Sequence, residues 1–393
     1  MIRCAECKGN LKCGRKECPL LKKFSFLKSF DIREGELEKP TPPSVFVGRI
    51  GYPKVFVGPL IALNPENPEY LDSPWKWSGK VDDVIALRMS LLRGMKTMSV
   101  DSAKNPDRFL TNIQEMTASI KPVDLSTEVG RVVRKEVFDD TVQPMGMSAR
   151  IKALELAENP KIPRRVENLY YDDLSAANAV RYLFDHGFST YYLQKILSIG
   201  MLGYQSRRRI VPTRWSITAI HDILGEQIKR EIAEFESLDE VLLFSYEHFG
   251  NHFEIIISPG DYSFQLIEIW MRKSFWSPDN VWIGSDSESL ARKRGYSPLS
   301  GGYYAARLPV LEYLRKIRRK GRILVIREIT PEYYAPLGVW VVEEGVRKAM
   351  NNPVRFDSFP SAVEVACKRI KTPYNFWKDR IVRSFQVSLE NFL

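Results

Sequence analysis

Three apolar runs crowded into one short stretch constrain the fold of this chain most. Val241-Leu242-Leu243-Phe244, Phe253-Glu254-Ile255-Ile256-Ile257 and Tyr262-Ser263-Phe264-Gln265-Leu266-Ile267 follow one another, with Gly250 and Pro259-Gly260 at the turns. Links this short cannot carry a crossover helix, so successive runs are expected to pair antiparallel. A helix over 308–319 leads through Gly321 into a strand over 323–326, and a strand over 338–342 runs into a helix over 343–350. Upstream, Val45-Phe46-Val47 and Val55-Phe56-Val57 flank Gly48-Arg49-Ile50-Gly51-Tyr52-Pro53 in a hairpin-sized arrangement. Helical spacing of Val84, Leu87, Leu91 and Leu92 predicts a helix over 82–96, and a similar pattern predicts one over 147–157. Two further helices are expected over 174–186, stopped by Gly187, and from Ser189 or Thr190 to Gly200.

The expected class is therefore α+β, with a mixed, largely antiparallel sheet and flanking helices. To this are added a small N-terminal zinc module and a flexible C-terminal tail. The organisation reads as a cysteine module over 1–24, a mixed first part of the core over 25–237, a strand-rich second part over 238–380 and a tail over 381–393. With 44% apolar residues the chain can bury a large core. Its longest apolar runs are strand-sized, far short of the roughly 20 residues of a membrane span, and the opening residues form no signal peptide. A cytoplasmic protein is the simplest expectation.

Four of the five cysteines, Cys4, Cys7, Cys13 and Cys18, fall in the first eighteen residues. Clustering of this kind reads as a metal site rather than a disulfide framework. Four thiolates suit structural Zn2+ with no open coordination position. A segment too short for a core of its own would draw its folding energy from the metal. An iron–sulfur cluster or reversible disulfides use the same residues.

The formal charge of +10, from 58 basic and 48 acidic residues, allows a polyanionic partner without requiring one. Arg207-Arg208-Arg209-Ile210-Val211-Pro212-Thr213-Arg214-Trp215 sets four arginines beside an indole. Arginine forks grip phosphate and tryptophan offers a stacking face, so this is a candidate nucleic-acid or nucleotide site; the bland reading is a solvated basic turn. Ser300-Gly301-Gly302-Tyr303 followed by Arg307 could open a helix as a phosphate cradle, or be a plain N-terminal turn. Gly48-Arg49-Ile50-Gly51-Tyr52 is a weaker third candidate. Catalytic residues are not identifiable: no H-E-x-x-H, G-x-S-x-G or Walker loop occurs. His221-Asp222 is the best acid–base candidate, and His248 and His252 read as exposed turn residues.

At the other end of the sequence, Gln386, Leu389, Phe392 and Leu393 have the spacing of a plug. In one 3₁₀ turn, residues three apart eclipse, so Leu389, Phe392 and Leu393 project together while Gln386 offers its amide. The pattern resembles the PIP box of sliding-clamp-binding proteins, with Leu393 where a second aromatic is commonest. An amphipathic helix end folded onto the core would carry the same residues.

Taken together, the cysteine module, the stretches 207–218 and 300–307 and the terminal motif resemble the archaeal Nre family over essentially the whole chain. The resemblance implies a role in the response to DNA damage, tethering to the clamp PCNA through Gln386, Leu389, Phe392 and Leu393, and zinc on the four cysteines. It supplies no catalytic residue. The leading expectation is a clamp-recruited DNA repair factor that binds DNA or nucleotide. The alternatives are a clamp-tethered nuclease or phosphoester hydrolase, and a non-catalytic scaffold for other repair proteins.

Overall fold

A computed structural model describes residues 9–12, 16–18, 21, 32, 34–64, 66–133, 145–382 and 385. The chain separates into two compact units, one spanning Glu17–Leu224 and the other built chiefly of Gly225–Leu393.

In the first unit the elements run β1 (Gly35–Thr41), β2 (Val45–Val47), β3 (Lys54–Ala62), α1 (Val81–Met89), β4 (Leu91–Ser99), α2 (Arg108–Ala118), β5 (Val123–Val133), β6 (Ser148–Leu156), α3 (Arg164–Tyr170), α4 (Ala176–Asp185), α5 (Thr190–Ser198) and the start of α6 (Thr213–Ala233). The strands form one sheet ordered β1-β5-β6-β4-β3-β2, antiparallel except where β4 meets β6. The expected β2–β3 hairpin is present, with Val47 opposite Val57. The helix pair is present too: Ser175 and Ser189 accept the capping bonds of α4 and α5, and Gly187 and Gly200 take positive φ.

Two expected helices are different. Only the first half of 82–96 is helical; from Leu91 the chain is strand β4, bonded to β3 and β6 on its two sides. Gly94 lies within it because a Cβ there would come 2.8 Å from Pro59 Cδ and 2.9 Å from Ile151 Cγ1. The stretch 147–157 is strand β6. Its register against β5 slips near Val129, and the extra residue leaves buried Ile151 and Leu154 three apart. That bulge imitates the spacing of a helix.

The second unit contains β7 (Val241–His248), β8 (Asn251–Ser258), β9 (Ser263–Trp270), β10 (Trp282–Ser289), α7 (Gly301–Ile317), β11 (Arg322–Ile329), α8 (Trp340–Ala349), β12 (Val354–Phe356) and α9 (Phe359–Arg369). Its sheet is ordered β10-β9-β11-β8-β7-β12. The first two apolar runs pair as an antiparallel hairpin through Phe249 and Gly250, both at positive φ; such a turn matches the twist of its strands. The second and third runs do not pair. Strand β11 lies between them, antiparallel to β8 and parallel to β9, with Val325 facing Ile255 on one side and Leu266 on the other. Seven of its eight residues are buried, as expected of a strand covered on both faces.

One face meets α7 and α8: the Tyr303 ring stands edge-on to Phe264 at 5.1 Å, and Gly345 leaves room for the Phe253 ring. The other carries Leu243, Ile256, Ile267 and Leu324 against Phe359, Ala362, Val363 and Ala366 of α9, joined by Trp377, Ile381 and Phe385. The expected strand over 338–342 is instead the turn before α8 and its first three residues. Val341 and Val342 are β-branched and strand-like locally, yet they are fully or nearly buried within a helix. Among the described residues the class is thus α+β, as expected, but with two six-stranded sheets rather than one.

His248, expected to be exposed, is buried among Tyr246, Phe249 and Trp340. Burial, aided by nearby Lys348, lowers its pKa to about 4, against an unfolded value near 6.5. Below pH ~6.5 the unfolded chain gains this proton before the folded one does. Stability is therefore complete above that value and falls as pH drops toward 4, by on the order of 1–3 kcal/mol after solvent screening. Urea midpoints measured from pH 7 to pH 4 should fall less steeply in His248→Leu than in the native chain. A gap between the two that is constant across this range would contradict the assignment.

Candidate nucleic-acid interface

The arginine-rich stretch leaves α5 pinned to it. Ser198 O accepts from Val211 N at 2.7 Å, and Ser198 Oγ donates to Val211 O at 2.7 Å. Within the triplet, Arg208 turns inward. Its Nε donates to Gly203 O at 2.9 Å and its Nη2 to Tyr170 O at 2.5 Å, with the guanidinium 4.3 Å from the Tyr170 ring centre. Burial lowers its pKa, and carbonyl partners satisfy the fork. Arg208 is thus a structural clamp, and its neighbours Arg207 and Arg209 are turned to solvent.

Arg207 lies over Tyr204 at 5.8 Å. With Lys104, Asn105 and Asp173 these residues line an open cleft of about 820 Å³. Arg209 stands 3.6 Å from Asp101, which Lys104 also meets at 2.7 Å. The hydrogen bond from Lys104 and the two positive charges hold the Asp101 carboxyl below its ordinary range.

Backbone bonds then join this stretch to the β2–β3 hairpin. Val100 N donates to Pro53 O at 2.9 Å, Ile210 N donates to Val100 O at 2.8 Å, and Val47 N donates to Thr213 Oγ1 at 2.9 Å. Thr213 Oγ1 therefore serves the fold. Beyond it Arg214 and Trp215 are exposed, and the Trp215 ring lies 5.2 Å from that of Tyr52, tilted by 50°. Two candidate stretches far apart in sequence, 48–52 and 207–215, thus meet on one surface of the first unit. Arg49, Lys54, Arg207, Arg209 and Arg214, in or beside these two stretches in sequence, are all exposed.

The stretch 300–307 belongs to the second unit and opens α7. Gly301, Gly302, Tyr303 and Arg307 are all buried. Beside Gly302 lies the Glu268 carboxylate, so that a Cβ would come 3.1 Å from its Oε1. That oxygen accepts from Arg327 Nη1 at 2.6 Å. Favourable charge at the amino end of the helix is thus supplied internally. Arg307 Nη1 donates to both oxygens of Glu288, at 2.9 and 2.8 Å, and to Glu226 at 3.2 Å. Lys229 reaches Glu226 at 2.7 Å, and Tyr262 donates to Glu288 at 2.8 Å. Gly225 has no side chain where Arg307 lies, a Cβ there falling 2.6 Å from Nη2. Burial first, then nearby Glu288, pushes the Tyr262 and Tyr303 hydroxyls far up, so both stay protonated. Glu226, Lys229 and Glu288 carry no sequence motif and are missed in the sequence; the one signal that could have found any of them is the i, i+3 spacing of the first two.

Of the expected metal ligands Cys18 is half-buried, while Cys4, Cys7 and Cys13 lie outside the described residues. So do Gln386, Leu389, Phe392 and Leu393. Among the described residues no cluster of three or more His, Cys, Asp or Glu could hold a metal, and no helix is long and apolar enough to cross a membrane.

Residues 12–277 match the family model described as archaeal Nre, N-terminal, and residues 288–392 match archaeal Nre, C-terminal. The chain belongs to the archaeal Nre family. It is 57% identical to DNA repair protein NreA of Archaeoglobus fulgidus over 392 residues, covering all of this chain and 98% of that one. DNA repair protein NreB of the same organism is 34% identical over 99% of this chain and 100% of its own length. DNA repair protein NreA of Haloferax volcanii is 37% identical over 78% of this chain and 76% of its own length. No solved structure matches.

In this Nre chain the Arg307 cluster takes contributions from both matched regions, so its loss should unfold more than one helix. Arg307→Ala strands two buried carboxylates with one buried lysine and should lower stability by about 3–5 kcal/mol. Replacing the pair together, Arg307→Met with Glu288→Leu, should recover most of that loss in chemical denaturation. A single variant as stable as the native chain would show that the pair carries no weight.

Proposed function

We propose that this chain is a DNA repair factor, brought to the sliding clamp PCNA by Gln386, Leu389, Phe392 and Leu393, that holds DNA on the surface around residues 204–215. One observation carries the DNA-binding part. Arg208 is consumed by internal carbonyls, and this same clamp turns Arg207 and Arg209 outward, alongside exposed Arg214. Solvent-facing guanidiniums on a rigid backbone release condensed counterions when they meet phosphate. Full-length relatives named DNA repair proteins support the setting.

The other basic candidate, 300–307, has a structural part in this reading, since Arg307 and Tyr303 are spent on the interior of the second unit. Cys4, Cys7, Cys13 and Cys18 would hold structural Zn2+, their thiolates filling a tetrahedral shell and fixing a segment too short to fold by itself. For the clamp, Phe385 supports a tether: it stacks on Phe359 at 5.2 Å within the apolar core, and the motif follows it directly in sequence.

Titrating labelled DNA at several salt concentrations tests the surface. Arg207→Ala, Arg209→Ala and Arg214→Ala should each reduce the slope of log affinity against log salt by about 1. Arg307→Lys, by contrast, should leave it unchanged. An unaltered slope in the triple variant would remove the surface from consideration. In calorimetry, deleting residues 386–393 should abolish binding to purified clamp while DNA affinity stays as before. Clamp binding that survives the deletion would refute the recruitment motif. Metal analysis should find about one zinc per chain, falling in Cys4→Ser, whereas iron at that level would replace zinc with a cluster.

A further inference from the structure

We infer that Tyr52 and Trp215 form a stacking platform for unpaired bases, which makes single-stranded DNA the ligand of this face. The inference rests on the DNA-binding surface proposed above and names its substrate class. Tyr52 and Trp215 come from segments far apart in sequence, yet their rings meet at 5.2 Å. Both nevertheless stay 44% and 46% exposed. Two large aromatics brought together in a core would bury each other; these leave much of their area in water. At the hairpin tip between them and β2, Ile50 is 84% exposed. The position is built rather than accidental: Pro53 O and Val47 N fix the hairpin to Val100 and Thr213.

Duplex DNA would leave these rings idle. Its bases are stacked and show only their edges in the grooves, so a protein surface meets mainly sugar and phosphate. An unpaired strand offers the face of every base, and stacking on an aromatic ring tolerates any sequence. The charges alongside suit the backbone of such a strand. Arg49, Lys54 and Arg214 are exposed and lie within three residues of Tyr52 or Trp215 in sequence. Lys54 also shares the outer face of β3 with Phe56, whose ring Arg150 already covers at 4.9 Å. The 50° tilt between Tyr52 and Trp215 suits successive bases that are splayed rather than parallel.

Anisotropy of a labelled single-stranded oligonucleotide and of its duplex, on the full chain, tests this. Tyr52→Ala and Trp215→Ala should each weaken single-strand binding about 5- to 100-fold and change duplex binding less than twofold. Trp215→Phe should regain most of the loss. The salt slope should stay as in the native chain, because an aromatic contact releases no counterion, whereas removing Arg207, Arg209 and Arg214 lowers it. The alanine substitutions are at exposed positions and should leave the melting temperature unchanged. Equal weakening of single strand and duplex, or none at all, would overturn the platform while leaving the basic surface standing. A native chain that binds neither form would overturn both, and would turn this exposed aromatic face toward a protein partner.

Discussion

A guanidinium taken out of water must keep its hydrogen bonds, since an unpaired buried charge costs several kcal/mol. That requirement sorts the arginines of this chain into two kinds. Arg208 is bonded to carbonyls and Arg307 and Arg327 to carboxylates, all inside the protein. These hold loops, helices and strands in place. Arg207, Arg209 and Arg214 remain in solvent because the backbone around them is already fixed by other bonds. The basic surface is thus a by-product of the clamp beneath it: one arginine in a run of three is given up to the interior so that its neighbours point the other way.

The same rule explains why the candidate site was only half legible in the sequence. Arginines, a tryptophan and hydroxyls within a few residues make 207–215 a candidate for phosphate and bases, and Arg209, Arg214 and Trp215 are exposed. No local pattern says that Arg208 would face in, or that the Thr213 hydroxyl would be occupied by Val47 N, 166 positions away. The meeting of Tyr52 with Trp215 is likewise a fact of tertiary structure. In 300–307 the glycines do open a helix, but the charge at its amino end comes from Glu268 of β9. A phosphate cradle and an internal carboxylate seat use the same residues, and the sequence does not separate them.

For the fold, elements set by neighbours in sequence were legible and elements set by distant partners were not. Serine caps and positive-φ glycines bounded α4 and α5, and the Phe249–Gly250 turn defined the β7–β8 hairpin. The strands β4 and β6 carry helix-like spacing because the partners that make them strands lie elsewhere in the chain, and because a bulge within β6 shifts its buried face by a residue. Strand β11 could not be placed by proximity at all. Being apolar on both faces, it gains most from the centre of the sheet, and it enters between two strands that are adjacent in sequence.

That insertion also decides how the chain can be divided. The two matched regions, 12–277 and 288–392, suggest two parts that fold side by side. Physically, the second unit draws β7, β8 and β9 from the first region and β11, β12 and α9 from the second. Glu226 lies in one region and Arg307 in the other, bonded at 3.2 Å. Without β11, strands β8 and β9 would face each other across an empty lane of hydrogen-bonding groups, and buried N–H and C=O groups are not left unpaired. The seam between the matched regions therefore runs through the middle of a sheet, and neither region can complete the second unit without the other.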